Sequence, residues 1–277
     1  MPELDLKEVQ HKALELLVEF DKICRKNEFI YSLGGGTLLG AIRHNGFIPW
    51  DDDIDLMMPR PDYEKFLGYC ANNETPFDCF SINNIDDYDD LFAKISDKDT
   101  IIVDEMKWSK LNMGVSIDIF PIDGLGRSLE EAIKNFNKTK FKRELLIAAR
   151  WKKYFVSKTK SLKYEPIRFI FFCISRFIDK NSLSRKLNRD YQKISFSTST
   201  YSGCISGVYR EKEIMETHVF KDIIEIKFED NKFLSIRDYD SYLELHYGNY
   251  MQLPPKDKQI SHHTSKFYFK KDYQING

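Results

Sequence analysis

Four aspartates lie within five consecutive positions of this 277-residue sequence, at 51–53 and 55, directly before the apolar run 56–58. Carboxylates so close together repel one another unless a cation lies among them. Successive side chains in a strand alternate between its two faces, so Asp51, Asp53 and Asp55 are expected on one face. Carboxylate oxygens at positions i and i+2 suit a hard divalent cation. Asp53 and Asp55 are therefore the predicted ligands of Mg2+, with Mn2+ as an alternative.

A run of three glycines, at positions 34–36, precedes the aspartates. Glycine lets backbone N–H groups approach an anion closely, and the helix predicted for 36–44 directs its positive end toward such an anion. Gly35, Gly36 and Thr37 are the predicted phosphate cradle. An anion site beside a carboxylate pair is what phosphoryl transfer requires, because its catalysis is mostly positioning and charge neutralisation. Taken singly, a glycine run is typical of a turn and an acidic run of an exposed loop.

Arg43 and His44 end this predicted helix and lead into an Asn45-Gly46 turn. Arg43 has two interpretations: it clamps a phosphate, or it interacts as a C-terminal cation with the last carbonyls of the helix. His44 has the same alternatives, a phosphate contact or a structural role. Both residues are retained as candidates for binding the phosphates of a donor.

A further carboxylate, Asp118, lies in the stretch 114–120, where apolar and polar side chains alternate as in a strand. The strand otherwise has the composition of a buried one, and a buried carboxylate is unfavourable unless it is paired or bound to a metal. Residues 121–124, Pro-Ile-Asp-Gly, are predicted to turn the chain, with Asp123 serving the turn.

The segment GGGTLLGAIRHNGFIPWDDDIDLMMPRPDYEKF, within residues 31–66, closely resembles the signature of the LicD family, which shares its core with the fukutin-related proteins. Weaker similarities follow at 117–121, 247–250 and 253–255. The resemblance implies a branch of the nucleotidyltransferase superfamily with a polymerase-β-like core. In such cores a third carboxylate comes from a neighbouring strand, which makes Asp118 the third candidate metal ligand and catalytic residue.

The same resemblance implies a phosphotransferase. Bacterial members transfer phosphocholine, or a similar phospho-alcohol, from a nucleotide-diphosphate-linked donor to a surface glycan. The favoured donor is CDP-choline, and the favoured acceptor is a sugar hydroxyl of teichoic acid or lipopolysaccharide on a lipid carrier; other CDP-alcohols stay open. Asp118 is expected to take the proton of the acceptor hydroxyl. Lys258 and His263, in the C-terminal tail, are expected to reach the donor phosphates.

The composition is that of a soluble globular protein, with 42% hydrophobic and 31% charged residues. The N-terminal residues lack the basic and apolar regions of a signal peptide. Five cysteines show neither C-x-x-C pairs nor zinc-like spacing, and are expected to be small core residues in a reducing compartment. The predicted location is the cytoplasm, peripheral at the inner face of the membrane.

Charge is distributed unevenly. Residues 1–133 have 13 Lys and Arg against 27 Asp and Glu, whereas residues 134–193 have 18 against 4, a net of +14. The acidic half is expected to need cations, and the basic segment to seek an anionic surface such as a membrane. The acids at 86, 87, 89 and 90 are predicted to form a solvated turn.

The longest apolar run, at 167–178, is interrupted by Arg168 and Arg176 and is too short to span a bilayer. Two interpretations stay open for it. It is either a buried helix of a second lobe or an interfacial helix at the membrane that carries the acceptor.

We therefore expect an α+β fold with a polymerase-β-like nucleotidyltransferase core, a mixed sheet and a mostly helical second lobe. The predicted units are a catalytic core at 1–127, a basic helical lobe at 128–200, and C-terminal strands and tail at 201–277 that pack back on the cleft. Two alternatives to the transferase are a nucleotidyltransferase acting on nucleic acid or another small acceptor, and a non-catalytic binding homologue. Nucleic acid is not expected as a partner.

Overall fold

The computed structural model describes residues 2–103, 111–156, 162–260 and 266–272. The helices are α1 (Leu6–Lys26), α2 (Gly35–His44), α3 (Arg60–Asn72), α4 (Leu129–Lys138), α5 (Lys140–Ala149), α6 (Glu165–Ser175), α7 (Lys180–Tyr191) and α8 (Tyr239–Tyr247). The strands are β1 (Ser32–Leu33), β2 (Asp55–Pro59), β3 (Asp78–Phe80), β4 (Ala93–Ser96), β5 (Thr100–Val103), β6 (Ser116–Gly126), β7 (Tyr201–Gly203), β8 (Ile214–Glu216), β9 (Ile223–Phe228), β10 (Asn231–Ile236) and β11 (Lys266–Phe269).

The central sheet has the order β1-β2-β6-β4-β3, and β7 and β8 extend it along the second half of β6. The pair β2–β6 is parallel, and the other pairs of this sheet are antiparallel. Two smaller antiparallel pairs, β9–β10 and β5–β11, complete the strands of the described residues. The expectation of an α+β fold with a mixed sheet is confirmed.

Helix α1 supplies the largest helical contribution to the main core. Asp5 and Glu8 form a capping box that satisfies backbone N–H groups at its start. Its buried side chains recur at helical spacing and belong to one cluster with the sheet: Val9, Ala13, Leu16, Leu17, Phe20 and Cys24. Side chains from the C-terminal part belong to the same cluster, including Phe228, Phe233, Ile236 and Leu243.

Residues 51–54 do not form a strand, so the predicted alternation across the aspartate run is wrong. The backbone turns at Ile48, whose carbonyl accepts a hydrogen bond from the Asp51 N–H at 2.9 Å. The Asp51 carbonyl accepts another from Gln10 Nε2 of α1, at 2.7 Å. Both backbone groups of Asp51 are thus hydrogen-bonded already and do not pair with a neighbouring strand. Strand β2 begins only at Asp55.

Strand β6 continues through the predicted turn at 121–124, so that prediction is also wrong. Instead of serving a turn, the Asp123 carboxylate is buried and accepts hydrogen bonds from Arg60 Nε at 2.7 Å and Nη2 at 2.8 Å. The first half of β6 pairs with β2 and β4, and its second half pairs with β7. One strand therefore links the carboxylate region to the second, smaller core around Phe136 and Leu187.

The acidic loop at 83–90 is not a purely solvated turn, because basic side chains of the helical region bind it. Lys180 Nζ lies 2.7 Å from Asp89 Oδ2, Arg150 Nη1 lies 3.0 Å from Asp90 Oδ1, and Arg185 contacts Asp86. Part of the charge asymmetry between the two segments is thus neutralised within the chain. In the described parts of the chain, no helix combines the length and apolar character that crossing a bilayer requires.

The buried Arg60–Asp123 pair gives a prediction about stability. Arg60→Met should lower the free energy of unfolding by about 3–5 kcal/mol, because it leaves a buried carboxylate without its partner. Urea denaturation measures the loss. The control is Arg237→Met, which breaks the pair with Asp222, where both side chains are more than half exposed; its loss should stay under about 1 kcal/mol. Equal losses in the two variants would show that the buried Arg60–Asp123 pair contributes no more to the free energy of unfolding than the exposed pair does.

Candidate active site

Two carboxylates face each other across the parallel pair of strands β2 and β6. Asp55 and Asp118 are register partners, and the Asp118 N–H donates to the Ile54 carbonyl at 2.8 Å. Register partners in neighbouring strands project to the same face of the sheet. The two residues that the sequence predicts as metal ligands on separate segments are thus neighbours in the fold.

Lys94 is a residue of this site that the sequence patterns did not indicate. It lies in β4 as the register partner of Asp118, and its ammonium forms an ion pair with Asp118 Oδ1. Its Nζ also lies 5.1 Å from the centre of the Phe92 ring. The signal that could have found it was a lysine inside the apolar stretch Leu91–Ser96, where Ala93 and Ile95 are fully buried.

The electrostatics of the site favour a further cation. Burial raises the pKa of Asp55 well above its ordinary value, and the nearby charges of Asp53 and Asp118 raise it further. Burial also raises the pKa of Asp118, although Lys94 acts in the opposite direction. One ammonium thus faces several carboxylates, and their oxygens are the ligand type that Mg2+ and Mn2+ prefer. The residues fit such an ion in charge and donor type.

No three Asp, Glu, His or Cys side chains of the described residues already converge into a metal-binding group. Asp53 is close enough to influence the pKa of both Asp55 and Asp118. The assignment of Asp53, Asp55 and Asp118 as ligands of one metal ion stays a prediction.

The glycine run lies against these carboxylates. Gly35 has a φ of +48°, and a Cβ there would lie 2.7 Å from Asp55 Oδ2; a Cβ at Gly36 would lie 2.9 Å from Asp51 Oδ2. The glycines therefore make room for the acidic side chains. Thr37 Oγ1 accepts a hydrogen bond from the Asp55 N–H at 2.8 Å, which ties the start of α2 to the start of β2. The contact of Gly35, Gly36 and Thr37 with a phosphate stays a prediction.

Arg43 is a half-buried cation whose hydrogen-bond acceptors are neutral. Its Nη1 donates to the Tyr250 carbonyl at 2.9 Å and its Nε to His44 Nε2 at 3.0 Å. Burial lowers the pKa of Arg43, and burial together with the Arg43 charge lowers the pKa of His44. A guanidinium held in this way can bind an anion. The contact of Arg43 and His44 with a phosphate stays a prediction.

Three tyrosines lie near the carboxylates, and the sequence patterns had not indicated two of them, Tyr209 and Tyr242. Burial raises the pKa of Tyr209, Tyr242 and Tyr247, and in each the nearby Asp55 charge raises it further. The Tyr242 hydroxyl accepts a hydrogen bond from the Gly35 N–H at 3.2 Å. The rings of Tyr209 and Tyr247 meet edge to face, with centroids 5.4 Å apart. Only the weak motif at 247–250 had indicated that this part of the chain belongs to the site.

The structure describes one of the two predicted tail residues. Lys258 is exposed, in the short helical turn Lys256–Lys258. His263 lies outside the described residues. Their contact with donor phosphates stays a prediction.

Comparison with known proteins identifies the family. A family model described as LicD/FKTN/FKRP, nucleotidyltransferase domain, matches residues 29–146. Lipopolysaccharide cholinephosphotransferase LicD of Haemophilus influenzae is 32% identical over 277 residues, which cover 97% of this chain and 99% of that protein. The chain belongs to the LicD family. The resemblance carried by residues 31–66 is thereby confirmed.

Shorter matches to uncharacterized proteins accompany this LicD relative. One protein of Rickettsia prowazekii is 36% identical over 73 residues, 23% of this chain and 27% of that protein. One of Rickettsia typhi is 42% identical over 60 residues, 21% of this chain and 19% of that protein. These matches cover too little of either protein to add to the family assignment.

In this LicD-family chain, Gly35→Ala should be strongly destabilising. A Cβ at Gly35 combines a left-handed backbone conformation, which costs about 1–2 kcal/mol, with a collision against the Asp55 carboxylate. Chemical denaturation of the purified variant measures the loss of unfolding free energy.

Two other glycines separate the causes. Gly248 has a φ of +68° and a ψ of −129°, and no atom lies within 4 Å of the position that a Cβ would take there, so Gly248→Ala reports a backbone cost without any collision, in a region that is open essentially to glycine alone. Gly68, within α3, also has nothing within 4 Å of that position, and Gly68→Ala should stabilise by about 0.5–1 kcal/mol. If Gly35→Ala loses no more than about 2 kcal/mol, which is the cost of the left-handed backbone alone, the collision with Asp55 is not significant.

Asp55→Asn should raise the melting temperature of the metal-free protein. Since the folded protein raises the pKa of Asp55, ionising this group costs folding free energy. The cost is absent below the ordinary Asp value of about 4 and grows as the pH rises toward the raised pKa. The advantage of the variant should therefore increase with pH above about 4, measured by thermal unfolding in a chelating buffer. A difference in melting temperature between variant and parent that stays constant above about pH 4 would contradict the proposed repulsion.

Added Mg2+ or Mn2+ should reverse this order. A ligand that binds the native state alone raises its stability, so the parent should gain melting temperature and Asp55→Asn should not. Asp99→Asn, at an exposed position, is the control and should behave as the parent does. A gain of equal size in Asp55→Asn would remove Asp55 from the metal site.

Proposed function

We propose that this chain is a phosphocholine transferase, which moves phosphocholine from CDP-choline to a sugar hydroxyl of lipopolysaccharide in a Mg2+-dependent reaction. The substrate assignment is supported by the near full-length similarity to the Haemophilus influenzae lipopolysaccharide cholinephosphotransferase. The observation that carries the reaction type is the pairing of Asp55 and Asp118 in register, next to the glycine end of α2. Teichoic acid is the other proposed acceptor, and other CDP-alcohols are alternative donors.

We further propose that the core is a polymerase-β-like nucleotidyltransferase core. Three features support this: carboxylates on neighbouring strands of a mixed sheet, a glycine run that opens a helix beside them, and the nucleotidyltransferase description of the matching family. The proposed unit boundaries, at 127/128 and 200/201, belong to the same proposal.

The reaction is a direct displacement at phosphorus. The acceptor hydroxyl oxygen forms a bond to the phosphorus of the phosphocholine group, the bond from that phosphorus to the bridging oxygen breaks, and CMP leaves. Asp118 takes the hydroxyl proton, since burial raises its pKa and makes it a stronger base. A divalent ion held by Asp53, Asp55 and Asp118 supplies charge neutralisation on the diphosphate when bound. Lys94 positions Asp118 by its ion pair.

The donor is proposed to lie along α2. Gly35, Gly36 and Thr37 cradle its phosphates in this proposal through the Gly36 N–H, the Thr37 hydroxyl and, once it leaves the Tyr242 hydroxyl, the Gly35 N–H. The guanidinium of Arg43, with His44, contributes positive charge and donors. Lys258 and His263 are proposed to approach from the tail. Aromatic rings bind quaternary ammonium groups through their faces, and the partly exposed rings of Tyr209 and Tyr247 near Asp55 support a choline-bearing donor.

The proposed partners are the nucleotide-linked donor, a lipid-linked glycan acceptor and the anionic inner face of the membrane. The five free cysteines support a reducing, cytoplasmic location. Nucleic acid is not proposed as a partner, although filter binding with RNA tests that alternative directly.

Asp53→Asn, Asp55→Asn and Asp118→Asn should each abolish transfer while the protein stays folded, because each removes a charge that holds the metal ion or accepts the proton. The assay follows release of CMP from CDP-choline and incorporation of choline into lipopolysaccharide, with circular dichroism to confirm folding. Asp99→Asn is the matched control and should retain full activity.

The same assay separates the alternatives. A non-catalytic homologue would bind CDP-choline, detected by thermal stabilisation, but release no CMP from any acceptor. A different donor would show as stabilisation by another nucleotide-linked alcohol in a screen with Mg2+ present. Near-normal turnover in Asp55→Asn would refute the proposed site.

A further inference from the structure

Exposed apolar side chains are concentrated in one part of the described chain. Eighteen large hydrophobic side chains are exposed, and thirteen of them fall between residues 129 and 177. Helix α6 contributes Ile167, Ile170 and Ile174, at 53%, 55% and 42% exposure, and Phe177 just beyond it is 91% exposed. The spacing i, i+3, i+7 aligns the three isoleucines on one side of the helix. We call these three the α6 ridge.

The opposite side of α6 attaches the helix to the protein. Phe171 packs on Phe141 of α5 with ring centroids 5.1 Å apart, Phe172 stacks on Trp151 at 6.4 Å, and Ser175 is buried. The interpretation of 167–178 as an interior helix is therefore wrong: the helix has one packed side and one apolar side that faces solvent.

The two arginines that interrupt the apolar run do not make this surface polar. The Arg168 guanidinium lies 5.0 Å from the Trp151 ring centre and pairs with Glu165. Arg176 donates to the carbonyls of Ala148 and Trp151, at the end of α5. Both arginines thus turn back to the protein and leave the α6 ridge without charge.

The segment that carries the ridge, residues 134–193, has surplus positive charge. The four acids of segment 134–193 are engaged: Glu165 with Arg168, Asp190 with two lysines, Glu144 with Arg210, and Asp179 as the cap of α7. Exposed lysines flank the packed helices α5 and α6 in the chain, namely Lys138, Lys140, Lys153 and Lys163. An exposed apolar ridge in a segment with surplus exposed lysines complements a surface with anionic headgroups above an apolar interior.

We propose that the α6 ridge and its flanking lysines dock the protein on an anionic lipid surface, with the isoleucines inserted below the headgroups. A second copy of this chain is the less favourable occupant, because face-to-face pairing would bring two positively charged surfaces together. The docking surface rests on the proposed membrane partner and names the part of the protein that meets it. Lipid binding involves neither donor nor acceptor, so it is tested separately from the transfer reaction.

The test measures co-sedimentation of the full chain with vesicles of phosphatidylglycerol mixed with phosphatidylcholine, and with vesicles of phosphatidylcholine alone. The parent should bind the anionic vesicles, bind the neutral ones far less, and lose binding as salt rises. The double variant Ile170→Glu/Ile174→Glu should weaken anionic-vesicle binding on the order of tenfold or more, because two inserted side chains become charged. Both positions are exposed, so the variant is expected to fold.

Val208→Glu is the matched control, because Val208 is 83% exposed but lies outside segment 129–177; it should bind as the parent does. Circular dichroism confirms folding, and sedimentation velocity without lipid tests self-association. A folded double variant that binds anionic vesicles like the parent overturns the proposal. So does a parent that forms a dimer which the double variant dissociates. Choline transfer to an acceptor in detergent is measured separately, so a failure of docking and a failure of the proposed function are distinguishable.

Discussion

The mutual repulsion of partly buried carboxylates is the constraint on which the rest of the site depends. The parallel register of β2 and β6 places Asp55 beside Asp118, and partial burial reduces the hydration that would moderate the charge of both. Each neighbouring element either offsets this repulsion or makes room for the carboxylates. Strand β4 brings the Lys94 ammonium to Asp118, α2 begins with glycines that leave space for the oxygens, and Thr37 ties the two segments together.

Local patterns in the sequence were sufficient to find the residues that carry the charge. The aspartate run and the lone acid in an alternating strand indicated Asp55 and Asp118, and the capped, periodic N-terminal segment indicated α1. The contacts that hold the site were not predictable in this way, because their partners are distant in sequence. Lys94 lies 24 residues from Asp118, and Tyr242 lies 207 residues from Gly35.

The errors at 51–54 and 121–124 share one physical cause. Turn and strand preferences describe a segment of backbone in isolation. In the folded protein, tertiary hydrogen bonds decide whether that segment forms a turn or a strand. The Gln10 side chain takes a backbone carbonyl that an earlier start of β2 would need, and Arg60 offers the Asp123 carboxylate a stronger partner than a turn does. The acidic loop at 83–90 is a similar case, because the basic side chains that bind it lie in the helical region some sixty to one hundred residues further along the chain.

Strand β6 carries Asp118 and Asp123 on one uninterrupted extended segment, with the two carboxylates an odd number of positions apart. Side chains alternate between the two faces of such a segment. Inserting or deleting a single residue between Asp118 and Asp123 would therefore move every later side chain of the strand to the opposite face. Either the partner of Arg60 or the partner of Lys94 would then be misplaced. The number of residues between these two acids is therefore fixed, and we expect natural length variation in related proteins to fall outside this part of β6.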